Sequence, residues 1–573
     1  MSDIALRFDR DIIVLDGAMG TMLLQEGADP EVPGIFWNVL DPELVLSIKQ
    51  RYLLAGAQAL TSDSFTGSRP VLAAHGLDSR LVELNREAVR LVKQLRPEHV
   101  LADVGPCGLL LPPLGNASFS EVLAVYAEQI AALAAEDPDA ILIETMIDIA
   151  DARAALLAAR SVTDLPVFVS LSFAANGRML LSGTTPAAAA ITLAAAGAAV
   201  IGLNCNLEPA SMLPLLRELA ANCNCPLLVQ PNAGDPQVLP DGRVIYSSSP
   251  EDFAAAAQSY RQAGAQFIGS CCGSTPSDTA AIYAEVGGLA VLPGQRPIAA
   301  SEPILRLSSA RSSLTCMLDG PCRLIGERLN PTGQPELQRS LAAGQLDLAA
   351  SLAIDQAAAG ADLLDVNVGG PGLDSVELLP PLVAELSGLT NCPLVLDCLN
   401  STALAAALAG YPGRAVINSI SASSAELWRL LPLARQYGAA VIARCTTGGQ
   451  VPHSLEERLA AVEIIRQSAA AYDLSDSDLL FDVLVLAEIS DPTAAEQALL
   501  AIAALHERGL LTVAAISNIS FGQGQRSQRN ADFLRAAVAA GLSMAIINPN
   551  DPLVQIAWQQ ANQQRAEPAT LAE

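Results

Sequence analysis

The chain has 573 residues, too many for a single hydrophobic core and suited to two or three domains. Hydrophobic residues make up 51% and charged residues 16%, the opposite of the balance that leaves a chain disordered. Aromatic residues reach only 4% and the formal net charge is -27, which together argue against a nucleic-acid surface and fit a well-solvated globular protein.

The first twenty residues, MSDIALRFDRDIIVLDGAMG, have no basic stretch leading into an apolar one, so no signal peptide is expected. The longest uncharged stretch, 179–207, contains Pro186 and several glycines. It parses as a helix, TPAAAAITLAAAG, followed by a strand, AAVIGLNC, and no membrane span is expected. Eleven cysteines are too dilute for a disulfide scaffold in a chain of this size, and a reducing, cytoplasmic location is expected.

The repeating unit is an Ala/Leu-rich helix, then Gly-Ala or proline, then a short apolar strand. AGAQALTSDSF, DPDAILIET, DLPVFVSLSF, AGAAVIGLNC, NCPLLVQPN and AGAQFIGSCC follow this pattern before Gly287. Strands alternating with helices build a parallel sheet, and so many units suit a (β/α)8 barrel over residues 1–291. Residues 292–318, rich in Pro, Ser and Arg, read as a linker. From Cys322 the pattern resumes with eight strand candidates: CRLIGERLN, AGADLLDVNVG, CPLVLDCLN, RAVINSIS, GAAVIARCT, DLLFDVLVL, LLTVAAISNIS and LSMAIINP. The predicted fold class is α/β, two tandem (β/α)8 TIM barrels, the second spanning 319–573. Chemistry in such barrels sits at the C-terminal ends of the strands.

In the first half, IGSCCGSTP (268–276) places Cys271 and Cys272 side by side just past a strand. Adjacent cysteines rarely bond to each other, and a turn needs only one small residue, so two thiols facing one metal ion is the sharper reading. Cys205, ending the strand in VIGLNCN, is the third ligand that reading requires. A catalytic zinc takes three protein ligands and keeps a fourth position open. Three thiolates leave it net negative, poor at polarising water but able to hold a substrate thiol as a nucleophilic thiolate. Buried, unpaired cysteines remain the alternative on spacing alone. Cys223 and Cys225 begin a strand and lie at the wrong end of the barrel.

VLDGAMGTMLL (14–24), LIET (142–145), GLNCN (202–206), QPNAG (230–234) and GSCCGSTP (269–276) together resemble the homocysteine S-methyltransferase family. That resemblance implies zinc on Cys205, Cys271 and Cys272, and homocysteine held by Asp16, Glu144 and Thr145. TSDSF (61–65) stands where the family usually shows Glu-Thr-Asn-Thr-Phe, and STPSD replaces the usual Thr-Thr-Pro-x-His.

In the second half, Asp365 and Asn367, Asp397, Asn418, Asp482 and Asn518 fall at successive strand ends, with Glu327 alongside. A ring of carboxylates and carboxamides suits a neutral heterocycle rich in N–H donors, since Asp matches an amidine-like N–H pair. Each such residue alone also serves to cap the following helix. IGERLNPTG (325–333), GADLLDVNVG (360–369), LVLDCLN (394–400), INSIS (417–421), FDVLVL (481–486), SNISFG (517–522) and INP (547–549) resemble the pterin-binding, methyltetrahydrofolate domain of cobalamin-dependent methionine synthases and related corrinoid methyltransferases. The resemblance implies a pterin ring held by Glu327, Asn367, Asp397, Asn418 and Asp482. It also implies that Asn518 is the catalytic residue that reaches N5, the methyl-bearing nitrogen. IARCTTGGQ (442–450) departs from that family, which usually shows an Asp-Glu pair there.

Both resemblances together imply methyl transfer from 5-methyltetrahydrofolate, through a corrinoid carrier, to zinc-activated homocysteine, giving methionine. The residues two before His75, His99, His453 and His506 are Ala73, Pro97, Val451 and Ala504, so none fits the cobalt-ligating Asp-x-His-x-x-Gly motif. A corrinoid (cobalamin) protein or domain acting in trans is therefore expected as partner. Two alternatives stand beside this. One is a corrinoid-independent methyltransferase using a sulfonium donor such as S-methylmethionine, and the other a non-catalytic folate-binding or zinc-storing protein.

Overall fold

The computed structural model describes residues 3–234, 237–238, 244–292, 304–448 and 450–566. Its chain divides into two compact units, Met1–Ile298 and Ala299–Glu573.

In the first unit, eight parallel strands make one sheet: β1 (Ile13–Val14), β2 (Ala59–Thr61), β3 (His99–Val104), β4 (Ala140–Met146), β5 (Val167–Leu171), β6 (Val200–Asn204), β7 (Leu227–Gln230) and β10 (Ala265–Ile268). A parallel bridge between Leu15 and Ala59 joins β1 to β2, closing the ring. A small antiparallel pair, β8 (Gln237–Val238) with β9 (Val244–Ile245), lies between β7 and β10 in sequence. The strands are buried on both faces, which is why they read as unbroken apolar runs. The uncharged stretch resolves as expected into a helix, Pro186–Ala195, capped by the Thr185 side chain, and strand β6. Among the described residues, no helix is long and apolar enough to cross a membrane. Inside the barrel, Leu15, Ala59, Leu101, Leu142, Phe168 and Phe267 pack with Ile4. Phe8 packs tilted against Phe168 and edge-to-face with Phe267, both at 6.1 Å between ring centroids, filling the N-terminal end.

In the second unit, β13 (Arg323–Leu329), β14 (Leu363–Asn367), β15 (Leu394–Asp397), β16 (Val416–Ile420), β17 (Ala440–Arg444), β18 (Leu479–Asp482), β19 (Thr512–Ala515) and β20 (Met544–Ile547) form a closed parallel barrel. Both halves are therefore eight-stranded parallel barrels, as the strand–helix alternation predicts.

The expected linker, 292–318, is different in its second part. Residues 293–303 lie outside the described residues, but β11 (Ile304–Ser308) and β12 (Ser313–Met317) pair as an antiparallel hairpin. Leu305, Leu307, Cys316 and Leu318 are buried against the barrel interior, where Ile325, Leu363, Val395, Val416 and Ile442 meet them. The Pro, Ser and Arg content masks a period-two apolar alternation of the kind a half-buried strand requires. The hairpin fills the N-terminal end of this barrel much as Ile4 and Phe8 fill the first, leaving the C-terminal ends free for ligands.

Alternation also sets what faces the second barrel's mouth. Ile325, Leu363, Val395, Val416, Ile442 and Leu480 point inward. Side chains two residues on point the same way. Those positions hold Glu327, Asp365, Asp397, Asn418, Arg444 and Asp482.

Candidate functional sites in the two barrels

Cys205 follows β6, while Cys271 and Cys272 follow β10. Their sulfurs lie within 4.8 Å of one another. A tetrahedral ion with each sulfur at about 2.3 Å would set the sulfurs about 3.8 Å apart, and Cys205 Sγ and Cys272 Sγ are 3.8 Å apart. Cys272 is exposed and the other two half-buried, so one side of the triad opens outward. The QPNAG loop after β7 ties the two cysteine segments together. Gln230 and Pro231 carbonyls accept from the Cys205 and Cys271 amides at 3.1 and 2.8 Å, and the Ala233 amide donates to the Cys272 carbonyl at 2.9 Å. Cys223 is buried before β7, at the opposite end, and takes no part.

Backbone conformation at this rim is costly. Thr145, Cys205 and Asn206 adopt left-handed φ of 60°, 61° and 64°. Non-glycine residues there cost on the order of 1 kcal/mol or more each, most of all a β-branched one. Asn204 compensates. Its Oδ1 accepts from the Thr145 amide at 2.9 Å, and its Nδ2 donates to Thr145 Oγ1 at 2.8 Å and Glu144 Oε2 at 3.0 Å. Cys271 Sγ lies 3.8 Å from the same Nδ2. One amide thus joins Glu144 and Thr145 to the sulfur triad.

Asp16 is placed differently from Glu144 and Thr145. It is buried, paired with Lys49 Nζ at 2.8 Å, and accepts from the Thr61 amide at 3.1 Å. Gly17 beside it admits no side chain, since a Cβ there would sit 2.7 Å from both Ser270 Oγ and Ser274 Oγ. The Asp-Gly pair is thereby pressed against the Cys-Cys-Gly-Ser segment.

Two further acids that the sequence reading does not single out, Asp63 and Asp103, share the field of Lys49 with Asp16 and Glu144. Each is buried with one carboxylate oxygen lacking a hydrogen-bond partner among the described residues. Burial lifts Asp63 to about 6 against the pull of Lys49. Burial and then the Glu144 charge push Asp103 well up. Burial, then the charges of Cys205 and Asp16, raise Glu144 to about 7. Asp103 stands two residues after the inward-facing Leu101, so strand alternation is the signal that finds it.

In the second barrel, the sequence-predicted residues converge on one bowl. Asn367, Asp397 and Asn418 occupy paired register positions on β14, β15 and β16. Asn367 Nδ2 donates to Asp397 Oδ2 at 2.6 Å, and Asn418 Nδ2 to Asp365 Oδ1 at 3.0 Å. Asp482 ends β18 and accepts from the Leu484 amide at 2.9 Å. Burial pushes Glu327, Asp365, Asp397 and Asp482 above the usual carboxylate range. Asn518 closes a single turn, Ile516–Asn518, after β19, and is exposed at the mouth. The turn is pinned on both sides: Ser517 Oγ donates to Glu327 Oε2 at 2.8 Å, and Arg526 reaches the Ser517 carbonyl and Ser520 Oγ at 3.2 Å.

Residues 13–286 match the homocysteine S-methyltransferase family and residues 326–548 the pterin binding enzyme family. Over 96% of its length the chain is 28% identical to the methionine synthase of Mycobacterium tuberculosis, covering 49% of that protein. It is also 28% identical to the methionine synthase of Mycobacterium leprae, over 94% of this chain and 47% of that one. The chain therefore spans about half the length of these curated relatives. A solved structure of the metallated homocysteine methyltransferase from Escherichia coli aligns with 49% of the chain and 98% of its own, at 25% identity and a TM-score of 0.42. Xanthomonas albilineans dihydropteroate synthase with 7,8-dihydropteroate aligns with 46% of the chain and 100% of its own, at 21% identity and a TM-score of 0.37.

Proposed function

We propose, from a homocysteine S-methyltransferase domain followed by a pterin-binding domain in one methyltransferase chain, that this protein moves a methyl group from 5-methyltetrahydrofolate to homocysteine, giving methionine. The transfer runs through a corrinoid carrier supplied by a module outside residues 1–573. The observation that carries this reading is the sulfur triad of Cys205, Cys271 and Cys272 at metal-ligand spacing in the first barrel, with a carboxylate bowl in the second.

The three sulfurs fit zinc, which, when bound, supplies charge that keeps the substrate thiol ionised at neutral pH. The remaining work falls to this chain's own side chains. Glu144 and Thr145, held by Asn204, face the triad and bind the amino-acid end of homocysteine. Asp16 acts one step back, anchoring Lys49 and Thr61 beneath them. In the second barrel, Asp397, Asn418 and Asp482 read the donor edge of the pterin, with Glu327 and Asn367 completing the rim. A tertiary amine leaves poorly unless its nitrogen gains a proton or a strong hydrogen bond, and the Asn518 amide, free to rotate at the mouth, supplies that bond to N5.

Purified protein loaded with zinc, given homocysteine and free methylcobalamin, is expected to form methionine. A requirement for S-methylmethionine instead, with no transfer from methylcobalamin, would overturn the corrinoid route.

A further inference from the structure

Arg444 is the one cation in the inward-facing ring of the second barrel among the described residues. It ends β17, in register with Asp482 on β18, and lies two residues beyond the inward-facing Ile442. Its charge acts on both Asp397 and Asp482. Nη2 reaches Glu426 Oε2 at 3.3 Å, and that carboxylate also accepts from the Ser421 amide at 2.7 Å, so the guanidinium is tethered to the end of β16. Nε is buried and has no acceptor among the described residues. A buried N–H without a partner is expensive to leave unmade, and the Arg444 side chain as a whole stays 30% exposed at the end of β17.

The chemistry of a pterin says what would satisfy it. Its 2-amino group and N3–H form a donor pair that a carboxylate reads, and the next substituent on that edge is the 4-oxo acceptor, which needs a donor. Asn418, another donor in this ring, is turned toward Asp365. Arg444 stands beside Asp482 with a donor to spare. We propose that Arg444 is a specificity-determining residue that donates to the 4-oxo group, selecting 4-oxo pterins over their 4-amino counterparts. Glu426 positions it. This rests on the pterin-binding reading of the second barrel, and it concerns a segment, IARCTTGGQ, where the chain departs from the family it resembles.

The test is equilibrium binding of 5-methyltetrahydrofolate, its 4-amino counterpart and tail-free 5-methyltetrahydropterin to the unmodified protein, Arg444→Met and Arg444→Lys, with circular dichroism on each variant. The unmodified protein is expected to prefer the 4-oxo ligand. Arg444→Met is expected to shrink that preference by about tenfold or more, Arg444→Lys to retain part of it, and the tail-free pterin to lose as much affinity as the folate. Equal weakening of both ligands by Arg444→Met would overturn the assignment. So would a loss seen with folate but not with the tail-free pterin, which would place the arginine on the glutamyl tail. Absence of any folate binding by the unmodified protein would overturn the pterin reading itself, and is distinguished because it precedes any substitution.

Discussion

Lys49 and Asp16 meet at 2.8 Å with both side chains only 1% exposed, and the charges of both act on Glu144. Lys49 also donates to Thr61 Oγ1 at 3.1 Å. It is the cation that offsets Asp16, Asp63, Asp103 and Glu144. Removing one partner of a buried pair leaves the other charge uncompensated. Lys49→Met is therefore expected to destabilise the first barrel by about 3–5 kcal/mol, read by urea denaturation. The double substitution Lys49→Met with Asp16→Leu is expected to recover much of that loss, since it removes the stranded charge.

Asn204 carries more of the first site than its absence from the sequence-predicted ligands suggests. Substitution to alanine removes the acceptor for the Thr145 amide and the donor to Glu144. Partners of this kind around a metal centre are worth roughly 10–100-fold in metal affinity or activity. Asn204→Ala is expected to raise the homocysteine KM and weaken zinc retention within that range, checked by competition with a chelator. An unchanged KM and unchanged retention would show that the amide only caps the local turn.

Asn518 is expected to matter for transfer more than for binding. Its side chain is exposed and, among the described residues, makes no contact that holds the pterin bowl together. Asn518→Ala is expected to cut methyl transfer from 5-methyltetrahydrofolate by about 100-fold or more while folate affinity changes only a few-fold. Ser517→Ala, which frees the turn from Glu327 without touching Asn518, is expected to reproduce a smaller part of the same loss in rate.

Acid–base behaviour of the first barrel is expected to show at Asp151. This carboxylate accepts from Tyr126 Oη at 3.0 Å, and Tyr126 Oη in turn accepts from the Cys107 amide at 3.0 Å, pinning the loop after β3. Burial pushes Asp151 up to about 7 from its ordinary 3.8, against the Tyr126 hydrogen bond. The folded state thus holds this proton more tightly than the unfolded state. Its contribution to stability is fully present below 3.8 and is lost as pH rises toward 7. Asp151→Asn, neutral throughout, is expected to gain on the unmodified protein between pH 5 and pH 7 by at most about 1.4 kcal/mol per pH unit. Urea midpoints at the two pH values read this directly.

The sequence is most informative where local pattern and tertiary role coincide. Parallel barrel strands are buried on both faces, so each appears as a short apolar run that ends in polar residues. This makes β6 with Cys205, and β15 with Asp397, legible from the order of residues alone. Lys49 is not legible in that way, because it sits on the helix Pro42–Leu54 and meets Asp16 only through tertiary packing. Asp103 and Arg444 escape for another reason: both follow an inward-facing apolar residue by two positions, a signal that becomes usable once the inward phase of each strand is known. The hairpin of β11 and β12 is hidden by a composition that otherwise marks linkers, although its apolar residues alternate.

Metal content is the most direct test of the central claim. Elemental analysis of the reduced, intact protein, set beside Cys205→Ala, Cys271→Ala and Cys272→Ala, is expected to find one zinc per chain in the first and less than a tenth of that in each variant, with methyl transfer to homocysteine lost in parallel. Full transfer by a zinc-free chain, or undiminished zinc after any one of the three sulfurs is removed, would contradict it.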